Sequence, residues 1–212
     1  MSVVGTLHSR WVFSRRTRLL CEQFASLIPN SATVLDVGCG DGTVSALLQS
    51  RRPDLRITGV DVLAREDARI PVQIFDGLNI PFADSAFDVV MFSDVLHHTT
   101  DPSVLQAEAY RVARTYVLIK DHYREGFAAG VRLRFMDWVG NARFGVALPY
   151  NYWTEKQWQS AWNRLGLRPQ QLIGRIKLYP GLANWLFGAN LHFVALLAKE
   201  PHVGSPMQVA AG

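Results

Sequence analysis

Hydrophobic residues recur along this chain in two patterns. Leu20, Phe24, Leu27 and Ile28 recur at helical spacing, which predicts an amphipathic helix over residues 10–28. Short apolar runs with the character of buried strands lie at residues 33–37, 55–60, 71–75, 87–92 and 116–119. Because helical patterns separate most of these runs, the chain predicts an α/β fold with a parallel sheet.

The regular alternation stops after Lys120. Residues 121–152 hold one helical pattern, ended by Gly140, and an aromatic loop, and a connection of this length is usually functional, which predicts a lid. A capping box of Thr154 and Gln157 then begins a helix that Gly166 ends. Two late runs, at about 168–176 and 190–199, predict an antiparallel pair at the edge of the sheet.

These patterns predict a single domain over residues 1–200. Its parts are an N-terminal helix (10–28), a core (30–120), the lid (121–152), a C-terminal helix with edge strands (154–199) and a loose tail (201–212). A chain of 212 residues is long enough for a full hydrophobic core. Hydrophobic residues make up 49% of the chain and charged residues 19%, which excludes a chain that is disordered by composition.

The composition also bears on location and metal binding. No apolar run approaches the roughly 20 residues of a membrane-spanning helix, and the arginine-rich start lacks the apolar centre of a signal peptide. A cytoplasmic location is therefore expected. Cys21 and Cys39 suggest neither a disulfide scaffold nor a zinc site, so we expect no metal.

The chain is mildly basic, with a net charge of +4 and a sequence pI near 9.3. Arg10, Arg15, Arg16 and Arg18 cluster near the N-terminus without an accompanying nucleic-acid motif, so nucleic acid is not an expected partner. A solvated helix face is the favoured reading of this cluster. An acidic substrate, a carrier protein or a membrane surface stays open as its partner. Nothing in the pattern indicates an oligomeric state.

Three glycines spaced two apart follow the first strand. Gly38, Gly40 and Gly42 stand between that strand and the next helical pattern, where glycine permits left-handed backbone and close approach of a ligand. The helix that follows offers unpaired backbone N–H groups at its start. This context predicts a binding site for a small polar ligand.

Polar residues gather at the predicted carboxyl ends of the strands, where open α/β sheets bind ligands. Asp61 follows Gly40 by about 20 residues, close to the spacing at which an acidic residue meets ribose hydroxyls. A dinucleotide fingerprint would place a small residue at position 43, which is threonine, so a nicotinamide or flavin dinucleotide is disfavoured. The other residues at these ends are Asp36, Asp76, Gly77, Ser93, His97, His98, Asp121 and His122.

Four motifs together resemble the class I S-adenosylmethionine-dependent methyltransferases. They are the run from Asp36 to Gly42, Asp61, Asp76 with the run at 80–88, and the run from Val95 to His98. The resemblance covers residues 30–120, and the closest pattern is the small-molecule group that includes quinone C-methyltransferases. It implies a Rossmann-like doubly wound sheet of seven strands, mostly parallel with an antiparallel edge.

The resemblance also assigns roles within a binding site for S-adenosylmethionine. Asp36, Gly38 and Gly40 would hold the methionine end. Asp61, with Val62 beside it, would meet the ribose; Asp76 and Gly77 would meet the adenine; and Ser93 would back the sulfonium. The chain departs from the family before strand five, where Val112–Thr115 replaces the usual glycine-rich turn, which leaves the substrate open.

The expected reaction is in-line methyl transfer to oxygen or carbon of a small-molecule acceptor, assisted by a general base of the His/Asp type. That acceptor could be acidic or carrier-bound. Candidate bases are His97, His98, Asp121 and His122, although a histidine beside a helix start is often only a packing or capping residue. The residues that could line the acceptor pocket are Phe135, Trp138, Tyr150, Tyr152 and His192. The alternative is that they are ordinary packing residues of the lid.

Three other functions compete with this one. They are a module that binds the cofactor without turnover, a nucleic-acid methyltransferase and a dinucleotide-dependent oxidoreductase.

Overall fold

A computed structural model describes residues 3–63, 65–141, 149–174, 176, 184 and 191–200. The strands are β1 (Thr33–Val37), β2 (Arg56–Asp61), β3 (Val72–Ile74), β4 (Phe87–Ser93), β5 (Ala113–His122), β6 (Leu167–Gly174) and β7 (His192–Lys199). The helices are α1 (Val3–Leu27), α2 (Thr43–Arg51), α3 (Pro102–Val112), α4 (Ala129–Asn141) and α5 (Glu155–Leu165). A short 3₁₀ helix covers Leu96–His98.

The strands form one seven-stranded sheet in the order β3-β2-β1-β4-β5-β7-β6. Strands β1 to β5 pair in parallel, and β7 runs antiparallel to both β5 and β6. This confirms the predicted mostly parallel sheet with an antiparallel edge. Strand order reverses between β1 and β4, and open α/β sheets bind ligands at such a switch point.

The register of the central strands aligns their carboxyl ends. Val37 of β1 lies opposite Val60 of β2 and Phe92 of β4, and Ser93 lies opposite Lys120 of β5. The residues that follow these strands therefore share one edge of the sheet, as the sequence predicted.

Apolar layers cover both faces of the sheet. On one face Phe24 of α1 and Leu48 of α2 are buried against β1 and β4. On the other face Trp158 and Trp162 of α5 pack against Phe193 of β7, with ring centroids 5.3 and 5.9 Å away. Full burial of such side chains contributes roughly 1.5–3 kcal/mol each, so α5 is fixed firmly against the edge strands.

Local signals define the helix ends as predicted. The Asp101 side chain accepts a hydrogen bond from the Ser103 amide and caps α3 before Pro102. Thr154 and Gln157 form both hydrogen bonds of the capping box at the start of α5. Gly166 ends that helix with a φ of 70°, a conformation that favours glycine.

Several predicted boundaries change. Helix α1 begins at Val3 rather than residue 10, and α4 continues through Gly140 to Asn141. Strand β5 extends to His122 because its antiparallel partner β7 continues to pair with it there. Asp121 and His122 therefore belong to the sheet and not to the lid. The predicted tail, residues 201–212, lies outside the described residues, as does the part of the lid at 142–148.

Candidate active site

The glycine turn after β1 combines tight packing with an open space. All three glycines have positive φ values, 74°, 59° and 72° for Gly38, Gly40 and Gly42. A Cβ at Gly38 would meet the Val95 methyl groups at 2.7 Å, and one at Gly42 would meet Ile70 at 2.6 Å. A Cβ at Gly40 would meet nothing within 4 Å, so Gly40 borders the space in which a ligand can approach the backbone.

Asp36 presents an unsatisfied carboxylate oxygen behind this turn. Its Oδ2 accepts a hydrogen bond of 2.6 Å from the Ser45 hydroxyl, whereas Oδ1 is buried and has no partner among the described residues. The pKa of the Asp36 carboxyl is raised to about 6, chiefly by burial; the Ser45 hydrogen bond opposes this rise and the nearby Asp61 adds to it. A buried oxygen of this kind fits a cationic or N–H donor of a ligand.

Asp61 connects the end of β2 to the glycine turn. Its Oδ2 accepts a hydrogen bond of 2.8 Å from the Gly40 amide, and its Oδ1 accepts one of 2.9 Å from the Leu63 amide. Each carboxylate oxygen has a second lone pair, so Asp61 can shape the turn and still accept bonds from vicinal hydroxyls. Asp61 therefore keeps acceptor capacity beside the glycine turn.

The ends of β2 and β3 carry exposed apolar side chains. Val62, Leu63, Ile74 and Leu78 are all exposed there, and Val62 lies against Gly77. Asp76 accepts hydrogen bonds from the Leu78 and Asn79 amides and from the Asn79 side chain, which makes it a turn residue. The apolar patch fits a flat ring such as adenine, while the carboxylate of Asp76 already has local partners.

A buried cluster of histidines surrounds Asp121 at the ends of β4 and β5. Asp121 Oδ1 lies 2.7 Å from His97 Nδ1 and 3.2 Å from His122 Nδ1, and its two oxygens also accept bonds from backbone amides. Burial raises the pKa of the Asp121 carboxyl, but His97 and His122 outweigh burial and hold that pKa well below its usual range. An ionised carboxylate only accepts hydrogen bonds, so both rings carry hydrogen on Nδ1.

An ion-pair network of Arg16, Asp94 and Lys120 lies beside this cluster. Lys120 is fully buried and pairs with Asp94, as does Arg16 of α1. Lys120 Nζ also lies 3.3 Å from His192 Nδ1. Burial raises the pKa of the Asp94 carboxyl, but the Arg16 and Lys120 cations hold it well below its usual value. Arg16 therefore does not belong to a solvated helix face, contrary to the favoured reading of the arginine cluster.

No site role is predicted from the sequence for Arg16, Asp94 or Lys120. A lysine inside the buried run of β5 is the one local signal, because a buried ammonium requires a partner. The register of β4 and β5 supplies that partner by placing Asp94 beside Lys120.

Two groups of side chains in the described residues have spacing that suits a metal ion. The ligand atoms of Asp94, His122 and His192 lie within 4.8 Å of one another, as do those of His97, Asp121 and His122. Lys120 already provides a positive charge between Asp94 and His192, and a metal ion there would be repelled by it. In the second group both histidines direct Nδ1 to Asp121 rather than to a shared centre.

The predicted acceptor walls divide into two sets. Tyr152 is buried and stacks on His97 with centroids 5.3 Å apart, and the His192 ring lies 4.6 Å from that of His122. His98 is partly exposed, and its ring centroid lies 4.1 Å from that of His97. Tyr150 is partly buried beside the Tyr152 cluster.

Phe135 and Trp138 form the second set and do not enclose the cluster. Both are exposed, because α4 uses a different face, with Ala129 and Leu133, to pack against Tyr152. Ser93 ends β4 one residue before Asp94, which places it between the glycine turn and the histidine cluster. The described residues contain no helix long and apolar enough to cross a membrane.

Comparisons with known proteins point to one family. The profile of a family described as "Methyltransferase domain" matches residues 10–172. A ubiquinone/menaquinone biosynthesis C-methyltransferase from Desulfotalea psychrophila is 34% identical over 95 residues, covering 41% of this chain and 39% of the relative. The 27-O-demethylrifamycin SV methyltransferase of Amycolatopsis mediterranei is 28% identical over 113 residues, covering 46% of this chain and 41% of that one.

A solved structure shares the fold over nearly the whole chain. It is a SAM-dependent methyltransferase of Thermotoga maritima, described as a possible histamine N-methyltransferase, with a TM-score of 0.65 and 20% identity. The alignment covers 92% of this chain and 96% of that one. The chain thus spans the length of this structural neighbour but only about two fifths of the curated relatives named above.

Proposed function

The chain belongs to the class I S-adenosylmethionine-dependent methyltransferases, and on that premise we propose that it methylates a small-molecule acceptor on oxygen or carbon. One observation carries the proposal. A buried, unpartnered carboxylate oxygen of Asp36 and an open glycine turn lie at the same sheet edge as a cluster of histidines oriented by Asp121.

The residues around the turn fit S-adenosylmethionine. Asp36 Oδ1 would accept from the amino group of its methionine end, the backbone beside Gly40 would approach its carboxylate, and Asp61 would accept from the ribose hydroxyls. Val62, Leu63, Ile74 and Leu78 offer an apolar surface for the adenine. When bound, S-adenosylmethionine supplies an electrophilic methyl group on a positively charged sulfur.

We assign the role of general base to His97. Its Nδ1 is held by Asp121, whose negative charge would stabilise the imidazolium that forms when the ring takes a proton. Asp121 is a positioning residue in this scheme. Tyr152, stacked on His97, would limit water and line the acceptor pocket. His98 is the competing base, because it lies next to His97 and is partly exposed.

The relatives guide the acceptor class. One is named for carbon methylation in quinone biosynthesis and one for methylation of a rifamycin at an oxygen. The first name describes a quinone, and the aromatic side chains near His97 suit such rings. We therefore propose an apolar, ring-containing acceptor with an acidic hydroxyl or ring carbon.

Calorimetry followed by a transfer assay tests the proposed function. S-adenosylmethionine should bind at micromolar to millimolar concentration, and radiolabelled methyl should appear on at least one phenol or hydroquinone of a broad panel. Lack of binding at millimolar ligand would refute the cofactor site. Binding without transfer to any acceptor would favour a module without turnover. Salt-sensitive binding to RNA or DNA, with methyl transfer to it, would favour nucleic-acid methylation instead.

Replacing Gly40 by alanine tests the open space beside the turn. The new Cβ would stand where the ligand approaches, so affinity for S-adenosylmethionine should fall by about tenfold or more, while left-handed backbone costs about 1–2 kcal/mol of stability. Gly166→Ala is the matched control, since Gly166 has a φ of 70° at the end of α5. It should lose similar stability and keep its affinity. Equal affinity in the two variants would count against a ligand at Gly40.

A further inference from the structure

Asp94 has an uncommon backbone conformation at the end of β4. Its φ is 60°, in the left-handed region that glycine enters freely and that, among other residues, asparagine and aspartate tolerate best. It directly follows Ser93, the last residue of β4, and its amide donates a hydrogen bond of 2.9 Å to the Lys120 carbonyl of β5. A residue held in such a conformation at the border of a candidate site is a reason to look for a function.

Two cations hold the side chain of Asp94. Lys120 of β5 pairs with one carboxylate oxygen, and Arg16 of α1 pairs with the other. The Lys120 side chain is fully buried, and a buried ammonium that loses its carboxylate is strongly destabilising. The side chain of Asp94 is therefore tied to a strand inside the sheet and to a helix outside it.

The segment that follows this residue joins the glycine turn to the histidine cluster. The methyl groups of Val95 lie 2.7 Å from the position that a Cβ at Gly38 would take. The Leu96 amide donates a hydrogen bond of 3.1 Å to Asp121 Oδ2, and His97 Nδ1 lies 2.7 Å from Asp121 Oδ1. Three successive residues thus contact the turn at one end and the cluster at the other, so their placement sets both contacts.

The separation of these two parts of the site matters for an in-line transfer. A misplacement of about 1 Å between reacting groups can lower a rate about 100-fold. We propose that Asp94 is a positioning residue for methyl transfer, which fixes the separation between the glycine turn and His97. Lys120 and Arg16 act through Asp94 by holding it in its left-handed conformation. The effect on transfer rests on the proposed function, whereas the placement of the segment does not.

Arg16 allows a test that leaves the buried pair intact. Arg16→Gln should lower kcat about tenfold and change the affinity for S-adenosylmethionine by less than about threefold, because the segment is displaced but the glycine turn remains. Arg16→Lys keeps a cation at this partly exposed position and should retain most of kcat. Arg18→Gln removes an exposed arginine of the same helix and should change neither quantity. A kcat in Arg16→Gln equal to that in Arg18→Gln would count against the proposal.

A double variant separates positioning from stability. Asp94→Asn keeps a residue that tolerates left-handed backbone but leaves Lys120 without its carboxylate, so kcat should fall about 100-fold and stability should fall as well. Asp94→Asn/Lys120→Met removes both buried charges, so the denaturation midpoint should recover. Its kcat should stay low, because residue 94 is still not tied to β5 and α1. Recovery of kcat together with stability would overturn the proposal and leave a purely structural ion pair.

Amide hydrogen exchange follows the segment without methyl donor or acceptor. In Asp94→Asn/Lys120→Met the amides of residue 94 and Leu96 should exchange about tenfold faster than in the unchanged protein, because their hydrogen bonds lie in the displaced segment. The Trp158 amide, which bonds to the Thr154 carbonyl in α5, is the internal reference and should keep its rate.

The exchange result and the transfer assay test different statements. Unchanged exchange at residue 94 and Leu96 would overturn the proposal, whether or not the unchanged protein transfers a methyl group. Faster exchange in the variant, with no methyl transfer by the unchanged protein, would refute the proposed function and keep Asp94 as the residue that places the segment.

Discussion

Asp36→Asn is expected to weaken the binding of S-adenosylmethionine by about 100-fold and to change how stability depends on pH. The affinity loss follows from the unpartnered Oδ1, which would accept a charge-assisted hydrogen bond from the ligand's amino group. A hydrogen bond to a charged group contributes roughly 1.5–3 kcal/mol, which corresponds to about 10- to 150-fold in affinity. Titration calorimetry measures this loss directly.

The stability effect follows from the raised pKa of Asp36. The pKa is about 6 in the fold and 3.8 in a solvated reference. Below both values the carboxyl is protonated in both states and burial costs no charge. As pH rises through this interval, the unfolded chain ionises first, and above about 6 the buried group ionises as well. The free energy of unfolding of the wild-type protein therefore falls by up to about 3 kcal/mol relative to that of the variant, because each pKa unit corresponds to 1.36 kcal/mol.

Denaturant unfolding of both proteins between about pH 4 and 7 measures this difference. The free energies of unfolding should differ by a constant amount because the asparagine amide is also buried. On top of this, the stability of the variant relative to the wild-type protein should increase with pH. Asp88→Asn is a control of opposite sign. Hydrogen bonds from Thr33 lower the pKa of Asp88, so removing its charge should destabilise the fold and spare cofactor affinity. A gap that does not change with pH would contradict the raised pKa of Asp36.

The sequence predicts that the residues around the glycine turn lie together, for a physical reason. Parallel strands bring their carboxyl ends to one edge, so residues that follow strands are neighbours whatever their distance along the chain. Asp36, Gly40 and Asp61 could therefore be placed together from the strand pattern alone. The resemblance then predicts S-adenosylmethionine as the ligand, and the family match confirms the methyltransferase class.

The grouping of the candidate bases depends on long-range strand pairing, which residue spacing does not reveal. Asp121 sits in β5 rather than in the lid because β7 pairs beyond the apolar run, at His122 opposite His192. Arg16 meets Asp94 only when α1 packs over the sheet edge. Phe135 and Trp138 illustrate a different limit, since helical spacing does not show that Ala129 and Leu133, rather than these two residues, pack against Tyr152.

Asp121→Asn is expected to lower turnover about 10²–10⁴-fold while leaving the affinity for S-adenosylmethionine unchanged. Asp121 holds the Nδ1 atoms of His97 and His122 and accepts bonds from two backbone amides. The asparagine side chain keeps the shape but can donate through its amide nitrogen. It therefore permits the wrong histidine tautomer and no longer stabilises an imidazolium with a negative charge.

The pH profile separates this positioning role from a general loss of structure. Burial and the Lys120 cation lower the pKa of His122, and the hydrogen bond that His122 donates to Asp121 partly offsets them. Without the carboxylate the histidines should protonate only at lower pH. The acid limb of the pH profile of kcat should therefore shift to lower pH in the variant. Asp101→Asn removes the same charge at the cap of α3, where asparagine caps equally well, and should alter neither kcat nor its pH profile.

Two further variants show which histidine takes the proton. If His97 is the base, His97→Gln should match the loss in Asp121→Asn, and the double variant should lose little more because the two residues act as one unit. His98→Gln should retain most turnover. A large loss in His98→Gln together with near-normal turnover in His97→Gln would transfer the role to His98. In that case Asp121 would stabilise buried histidines that do not react, and Asp121→Asn would lower the stability of the fold rather than turnover.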